Sequence, residues 1–285
     1  MASQKPIIGG HVSTAGGVWN AITNAKRIGE DAIQFFGASP QMWVARGPKE
    51  DEAKRFREAY RASGITAAYL HAAYLVNLAS SNDIFYLKSV KSLVDHMRIA
   101  EALGINGLIF HVGSSKGMSR EAALAQEVEG MKRVLDEVPG TVQLLMENTA
   151  GGGEKIGATV EEMAHLFKAV NSPRVKVCFD TAHAFEAGLI TEYTPENVSK
   201  LVDAWDAAIG LENLTVIHAN DSMTEAESHH DRHQNIGEGH IGLKGFRALA
   251  GEKRLHDKFW LLEVPGFEDA GPDEKNVKLL KSCFV

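Results

Sequence analysis

The amino-acid sequence predicts a TIM-type (β/α)8 barrel, one α/β domain spanning residues 1–285, and three observations lead there. The chain has 285 residues, 44% of them hydrophobic and 24% charged, a length and composition that suit one barrel of roughly 250 residues with some long loops. Short β-rich runs alternate with longer amphipathic segments along the whole chain, the pattern of βα units on a parallel sheet. Eight such runs can be counted, and neither a Pro/Ser-rich linker nor a sequence repeat interrupts them.

In order, the runs are Ile7 to His11, Ala32 to Phe36, Ala67 to His71, Gly107 to His111, Val142 to Glu147, Lys176 to Asp180, Thr215 to His218, and Phe259 to Glu263. Helical spacing lies between them. From Ile84 to Leu103, Leu87, Val90, Val94, Met97 and Ala100 recur at intervals of three and four, which marks one buried face. Gly104 then supplies the stop. Cys178 alternates with Asp180, so it is placed inside the barrel as packing. The run Gly151-Gly152-Gly153 reads as turn geometry and lacks the spacing of a dinucleotide fingerprint.

No stretch of about 18 uninterrupted apolar residues occurs, and Met1 to Gly10 does not combine a basic region with an apolar run. This predicts a soluble, cytoplasmic protein with no membrane partner. Two distant cysteines, Cys178 and Cys283, form neither a disulfide framework nor a thiolate zinc motif. The net charge of −7 argues against nucleic acid when taken globally. Three bound divalent ions would offset nearly all of it, with the added positive charge concentrated in one pocket.

Five of the runs end on a side chain able to bind metal, namely His71, His111, Glu147, Asp180 and Glu263, and His218 closes a sixth. In a parallel barrel these ends converge on the face that carries active sites. His183, in Asp180-Thr-Ala-His183, and the pair Asp231 and His233 lie in the loops that follow. Five imidazoles and four carboxylates are too many for one tetrahedral site and suit two or three ions with a bridging carboxylate. Ligation rich in imidazole and free of thiolate favours Zn2+, with Mn2+ or Fe2+ compatible with one site.

The segments His71-Ala-Ala-Tyr74-Leu-Val-Asn77, Phe110-His111-Val-Gly-Ser114, Met146-Glu147-Asn148-Thr-Ala-Gly151, Cys178-Phe-Asp180-Thr-Ala-His183, His218-Ala-Asn220-Asp221, and Asp231-Arg232-His233 with Gly237-Glu238-Gly239 resemble, in serial order, the motifs of the endonuclease IV family of apurinic/apyrimidinic endonucleases. The match runs from Gly10-His11-Val12-Ser13 to Glu263, nearly the full chain. The resemblance implies a DNA-repair hydrolase that cuts the phosphodiester 5′ of abasic sites in duplex DNA and leaves a 3′-hydroxyl and a 5′-deoxyribose phosphate. It also implies 3′-phosphodiesterase or 3′-phosphatase action on blocked 3′ ends. One metal would take His71, His111 and Glu147; a second Glu147, Asp180, His218 and Glu263; a third His183, Asp231 and His233. Glu147, as the bridge, would be the catalytic residue. The chain would act as a monomer, associated with the nucleoid when on DNA.

Family members bend DNA and extrude the abasic nucleotide. The resemblance gives this work to Gly37-Ala-Ser-Pro40-Gln41-Met42-Trp43 and Ala72-Ala73-Tyr74, with Tyr74 as the stacking aromatic. Gln41 stands where many relatives carry Arg, Ala72 and Ala73 replace more polar residues, and Ala182 replaces a common Cys. Arg232 is expected to meet a phosphate or a nearby acid, and Glu238 to orient a ligand. His11 is expected to support the ligands or contact phosphate. The other histidines (His96, His165, His229, His230, His240 and His256) are expected to be solvent-facing or capping. The alternative is a metal-dependent sugar isomerase or epimerase on the same barrel, using Glu147, Asp180, His218 and Glu263. Such an enzyme leaves His183, Asp231 and His233 without employment. A binding protein with purely structural metals fits less well, because structural zinc sites close with Cys and His.

Overall fold

The computed structural model describes residues 5–284; residues 1–4 and 285 of the predicted domain lie outside the described residues. In chain order the strands are β1 Ile7–His11, β2 Ala32–Phe36, β3 Ala67–His71, β4 Gly107–His111, β5 Gln143–Glu147, β6 Val175–Asp180, β7 Leu214–His218, β8 Asp221–Ser222, β9 His233–Gln234 and β10 Phe259–Leu262. The helices are α1 Asn20–Ile28, α2 Glu50–Ser63, α3 Asp83–Leu103, α4 Arg120–Glu137, α5 Val160–Val170, α6 Thr181–Glu186, α7 Pro195–Ile209, α8 Gly242–Gly251 and α9 Glu274–Lys281. Strands β1 to β7 and β10 form a closed parallel barrel in the order β1-β10-β7-β6-β5-β4-β3-β2. β8 and β9 make a small antiparallel ribbon above it. No helix of the described residues is long and apolar enough to cross a membrane.

Period-two alternation decides where the site lies. Ala32, Ala67, Tyr69, Ile109, Leu145, Cys178, Val216 and Leu261 form one buried cluster inside the barrel. Two residues further along each strand the same inward face carries Gln34, His71, His111, Glu147, Asp180, His218 and Glu263. An apolar plug thus sits directly beneath a polar layer. Parallel register keeps that layer level, since His111 pairs with Glu147 and Asp180 with His218. On β1 the corresponding plug position is Gly9, where a Cβ would overlap the Ala32 carbonyl; only glycine lets β1 close against β2 here.

The larger core lies between the outer face of the barrel and the helices and includes Phe35, Leu70, Phe110, Met146 and Trp205. The long predicted helix begins one residue earlier than its periodicity suggested, because the Asn82 side chain accepts from Ile84 N–H and Phe85 N–H and so caps it. Gly104 ends it in the left-handed conformation. Leu87, expected on the buried face, is 50% exposed, because the stripe begins to be covered only at Ser89 and Val90. Val142 precedes its strand and Glu263 follows its strand by one residue, while β6 and β7 each start one residue early.

His96 also corrects its expectation. It is buried, with Nδ1 donating to the Ser92 carbonyl at 2.7 Å, because the loop after β2 lies across this face of α3 and brings Gly37 against its ring. His165, His229, His230 and His240 are exposed, and His256 Nε2 donates to the Ala250 carbonyl near the end of α8. The glycine run after β5 is turn geometry: Gly151 and Gly153 have positive φ, and a Cβ at Gly152 would overlap the His229 carbonyl.

Candidate metal centre

All nine of the sequence-predicted ligands meet at the C-terminal end of the barrel strands. Glu147 is fully buried at the centre. Its Oε2 lies 3.1 Å from His71 Nε2 and 3.4 Å from His111 Nε2; its Oε1 lies 3.0 Å from His218 Nδ1 and 3.4 Å from His183 Nδ1. Glu263 Oε2 approaches His218 Nδ1 at 3.2 Å. Three groups place one ligand atom from each member within 4.8 Å of the others: His71, His111 and Glu147; Glu147, Asp180, His218 and Glu263; and Asp180, His183 and His233. Asp231 Oδ1 adds to the last of these, 3.2 Å from His183 Nε2.

Local structure aims each ring. Asp180 ends β6 and caps α6, accepting from the His183 N–H at 2.8 Å, so the strand-to-helix turn itself delivers His183. The ribbon of β8 and β9 carries His233, and the loop between them carries Asp231. That loop is held by the buried Glu186, which accepts from Ser222 Oγ and Arg232 N–H.

Four of the imidazoles spend one nitrogen on an oxygen acceptor. His71 Nδ1 donates to the Ala72 carbonyl, His183 Nδ1 to Asn148, His233 Nδ1 to Glu263, and His218 Nε2 to the Gln34 side-chain oxygen. Each ring therefore turns its other nitrogen toward the carboxylates, the nitrogen that a metal would take in place of a proton. Among the described residues, His183 Nε2 and His233 Nε2 are buried and make no well-formed hydrogen bond, although Asp231 Oδ1 stands 3.2 Å from the first and Asp180 Oδ2 3.6 Å from the second. Imidazole nitrogens that face carboxylates in this way fit a divalent cation, with donors rich in N and O and free of thiolate.

The electrostatics agree with that fit. Burial pulls His183 down, yet Asp180 and Asp231 lift it well above the ordinary imidazole value. His218 is lifted likewise against burial, by Cys178, Glu263 and Glu147. Burial pushes Glu147 up, but His111, His218 and His71 drag it well below the usual carboxylate range. His111, less surrounded by acid, is pulled down by burial to about 4. The cluster attracts positive charge, as protons or as metal.

Sequence reading missed the side chains that brace this set. Gln34 is fully buried; its amide donates to Glu263 Oε1 at 2.5 Å and to His11 Nδ1 at 3.1 Å while its oxygen accepts from His218. A lone amide inside the apolar run Ala-Ile-Gln-Phe-Phe was its signal. Asn148 ties β5 to β6 through Asp180 N–H and carbonyl. Asn220 donates to Asp180 Oδ2 and accepts from Glu263 N–H. Glu238 does not take the supporting role expected of it: its side chain is exposed. The turn it occupies is organised by Asp221, which accepts from the N–H groups of Gly237, Gly239, Ile241 and Gly242.

Above the cluster opens a cavity of about 850 Å3, lined among others by His11, Tyr74, Asp231, Arg232 and Glu263. Tyr74 is 65% exposed on its rim, and Gln41 is exposed in the neighbouring loop. Arg232 is exposed and donates to the Asp231 carbonyl. Ala72 and Ala73 are buried, as is Ala182.

Residues 22–283 match the family model of the xylose isomerase-like TIM barrels. Relatives described as probable endonuclease 4 include those of Halothermothrix orenii, 34% identical over 96% of this chain and 99% of theirs, and Natronomonas pharaonis, 35% identical over 97% and 98%. Endonuclease IV from Thermus thermophilus superposes with a TM-score of 0.86 at 36% identity, covering 98% of each chain. A D-tagatose 3-epimerase-like protein superposes at 0.71 with 19% identity, which shows a shared barrel. With its barrel, its serial motifs and its full-length relatives in agreement, the chain belongs to the endonuclease IV family of xylose isomerase-like TIM barrels.

Proposed function

We propose that the chain hydrolyses the phosphodiester bond 5′ of abasic sites in duplex DNA, with three divalent ions, Zn2+ first, held by the nine side chains in the groups given above. The single observation that carries this reading is the placement of Glu147 among four imidazoles directly beneath an open cavity, which three of them, His71, His111 and His183, line. Divalent ions held there supply Lewis acidity, which polarises a phosphodiester and brings the pKa of water toward neutrality. Glu147 holds two of the groups in register, and Asp180 and Glu263 balance their charge. Gln34 and His11 orient His218 and Glu263, so His11 acts through its neighbours. Tyr74 on the rim, Gln41 in the neighbouring loop and Arg232 beside the ligands contact the DNA strand.

The same reading carries action on blocked 3′ ends, a monomeric enzyme open to a rigid duplex on one face, and a cytoplasmic, nucleoid-associated place of work. It also employs His183, Asp231 and His233, which a sugar isomerase on this barrel leaves idle.

The test is incision of a duplex carrying one tetrahydrofuran abasic analogue, with metal content measured on the same preparation. A lyase cannot use that analogue, so a 3′-hydroxyl product that chelator abolishes establishes hydrolysis. An intact duplex after incubation with fully metallated protein overturns the reading and moves sugars to the front.

A further inference from the structure

Lys155 is a residue that neither the motifs nor the ligand set employs. Its Nζ lies 3.2 Å from Asp231 Oδ2, on the far oxygen of the carboxylate whose Oδ1 faces His183. If Asp231 served only as a ligand, an ammonium beside it would be a handicap, since it weakens the attraction for a metal.

The backbone nevertheless holds Lys155 firmly in that place. It forms an antiparallel bridge with Ser114, and its N–H donates to the Gly152 carbonyl. Arg120 Nη1 donates to the Lys155 carbonyl at 2.9 Å, while Nε and Nη2 of the same guanidinium pair with Glu162 at 2.5 and 2.6 Å. The ammonium lines a cavity of about 500 Å3 with Tyr74, Asn77, His111, Ser114 and Asp231. That cavity shares Tyr74, His111 and Asp231 with the main one. Among the described residues lining the two cavities, Lys155 and Arg232 are the only Lys or Arg side chains.

We propose that Lys155 is a phosphate-binding residue that receives a backbone phosphate of the bound DNA strand in the side cavity next to the metal centre. An ammonium has three N–H donors, and Asp231 uses one, which leaves two for phosphate oxygens. A lysine serves such a contact as a point charge. In a cluster dominated by carboxylates, positive charge at the mouth also lowers the repulsion a polyanion meets on entry.

The inference rests on the phosphodiesterase reading above, and its test separates the two. Lys155→Met and Lys155→Arg are compared with wild type for the salt dependence of kcat/KM on the tetrahydrofuran duplex, with metal content measured on each preparation. The Met variant loses roughly fivefold in kcat/KM, and its log–log salt slope is shallower by about 1. The Arg variant keeps the wild-type slope, and metal content stays the same in all three. An unchanged slope in the Met variant overturns the proposal, and a changed metal content beside that unchanged slope shows that Lys155 serves Asp231 alone. A metallated wild-type protein that leaves the duplex whole overturns the function reading, and this inference falls with it.

Discussion

Glu147 and Glu127 are equally buried, each with no exposed surface, and their surroundings drive them in opposite directions. Glu147, among four imidazoles at the barrel mouth, is held well below the ordinary carboxyl value. Glu127 lies on α4 in the helical layer, where both its oxygens lack a partner among the described residues, and burial lifts it well above that value. Burial by itself therefore makes a neutral acid. Company of opposite sign makes an anion that can hold a metal. Glu30, buried and lifted in the same way as Glu127, falls on the same side of the divide.

The largest effect should come from neutralising the paired carboxylate. Glu147→Gln is expected to leave the fold intact by circular dichroism while lowering the incision rate by about three orders of magnitude or more; near-normal turnover would break the contrast. Chelation should abolish incision and also lower the melting temperature of the wild type, since metal bound only by the folded state stabilises it by mass action. A melting curve indifferent to chelator would mean that the imidazole–carboxylate cluster holds no ion in solution.

Gln34→Ala should cost about tenfold to a hundredfold in activity or metal affinity, because it frees His218, Glu263 and His11 together. Rescue by Gln34→Glu is not expected, because a carboxylate cannot donate to Glu263. The smallest effect belongs to Glu127. Its folded-state value is raised, so the stability that its neutral form contributes is present below the ordinary value of 4.5 and is lost as pH rises from there toward the raised value. Glu127→Gln should remove that pH dependence and raise stability near neutrality by about 1 kcal/mol, read by denaturant melts at acid and neutral pH. A variant that gains nothing at neutral pH would show that Glu127 has an unseen stabilising role.

Much of the site was legible because a parallel barrel turns a one-dimensional rule into a three-dimensional one. A His or acid at the end of each β-rich run must point to the same end, which is why His71, His111, Glu147, Asp180, His218 and Glu263 could be named before any fold was known. His183, Asp231 and His233 came through their motifs and not through periodicity, since they sit on a short helix, a loop and a ribbon. Gln34 and Lys155 were overlooked for different reasons. Gln34 sits within an apolar strand and shows its role only through three partners distant in sequence. Lys155 shows its role only when the loop after β5 meets the loop that bears Asp231.

By itself, then, the order of residues determined the barrel, the face of the site and six of the nine candidate ligands through strand periodicity and strand-end chemistry, and the other three through motifs in the loops that follow, all of them local properties of the chain. Tertiary structure decided which nitrogen of each imidazole turns inward, which carboxylate sits at the centre, that His96 is buried, and which cation stands beside Asp231. Those outcomes depend on hydrogen bonds and packing between segments tens to hundreds of residues apart, as from Gln34 to Glu263, and nothing in the local sequence states who those partners are.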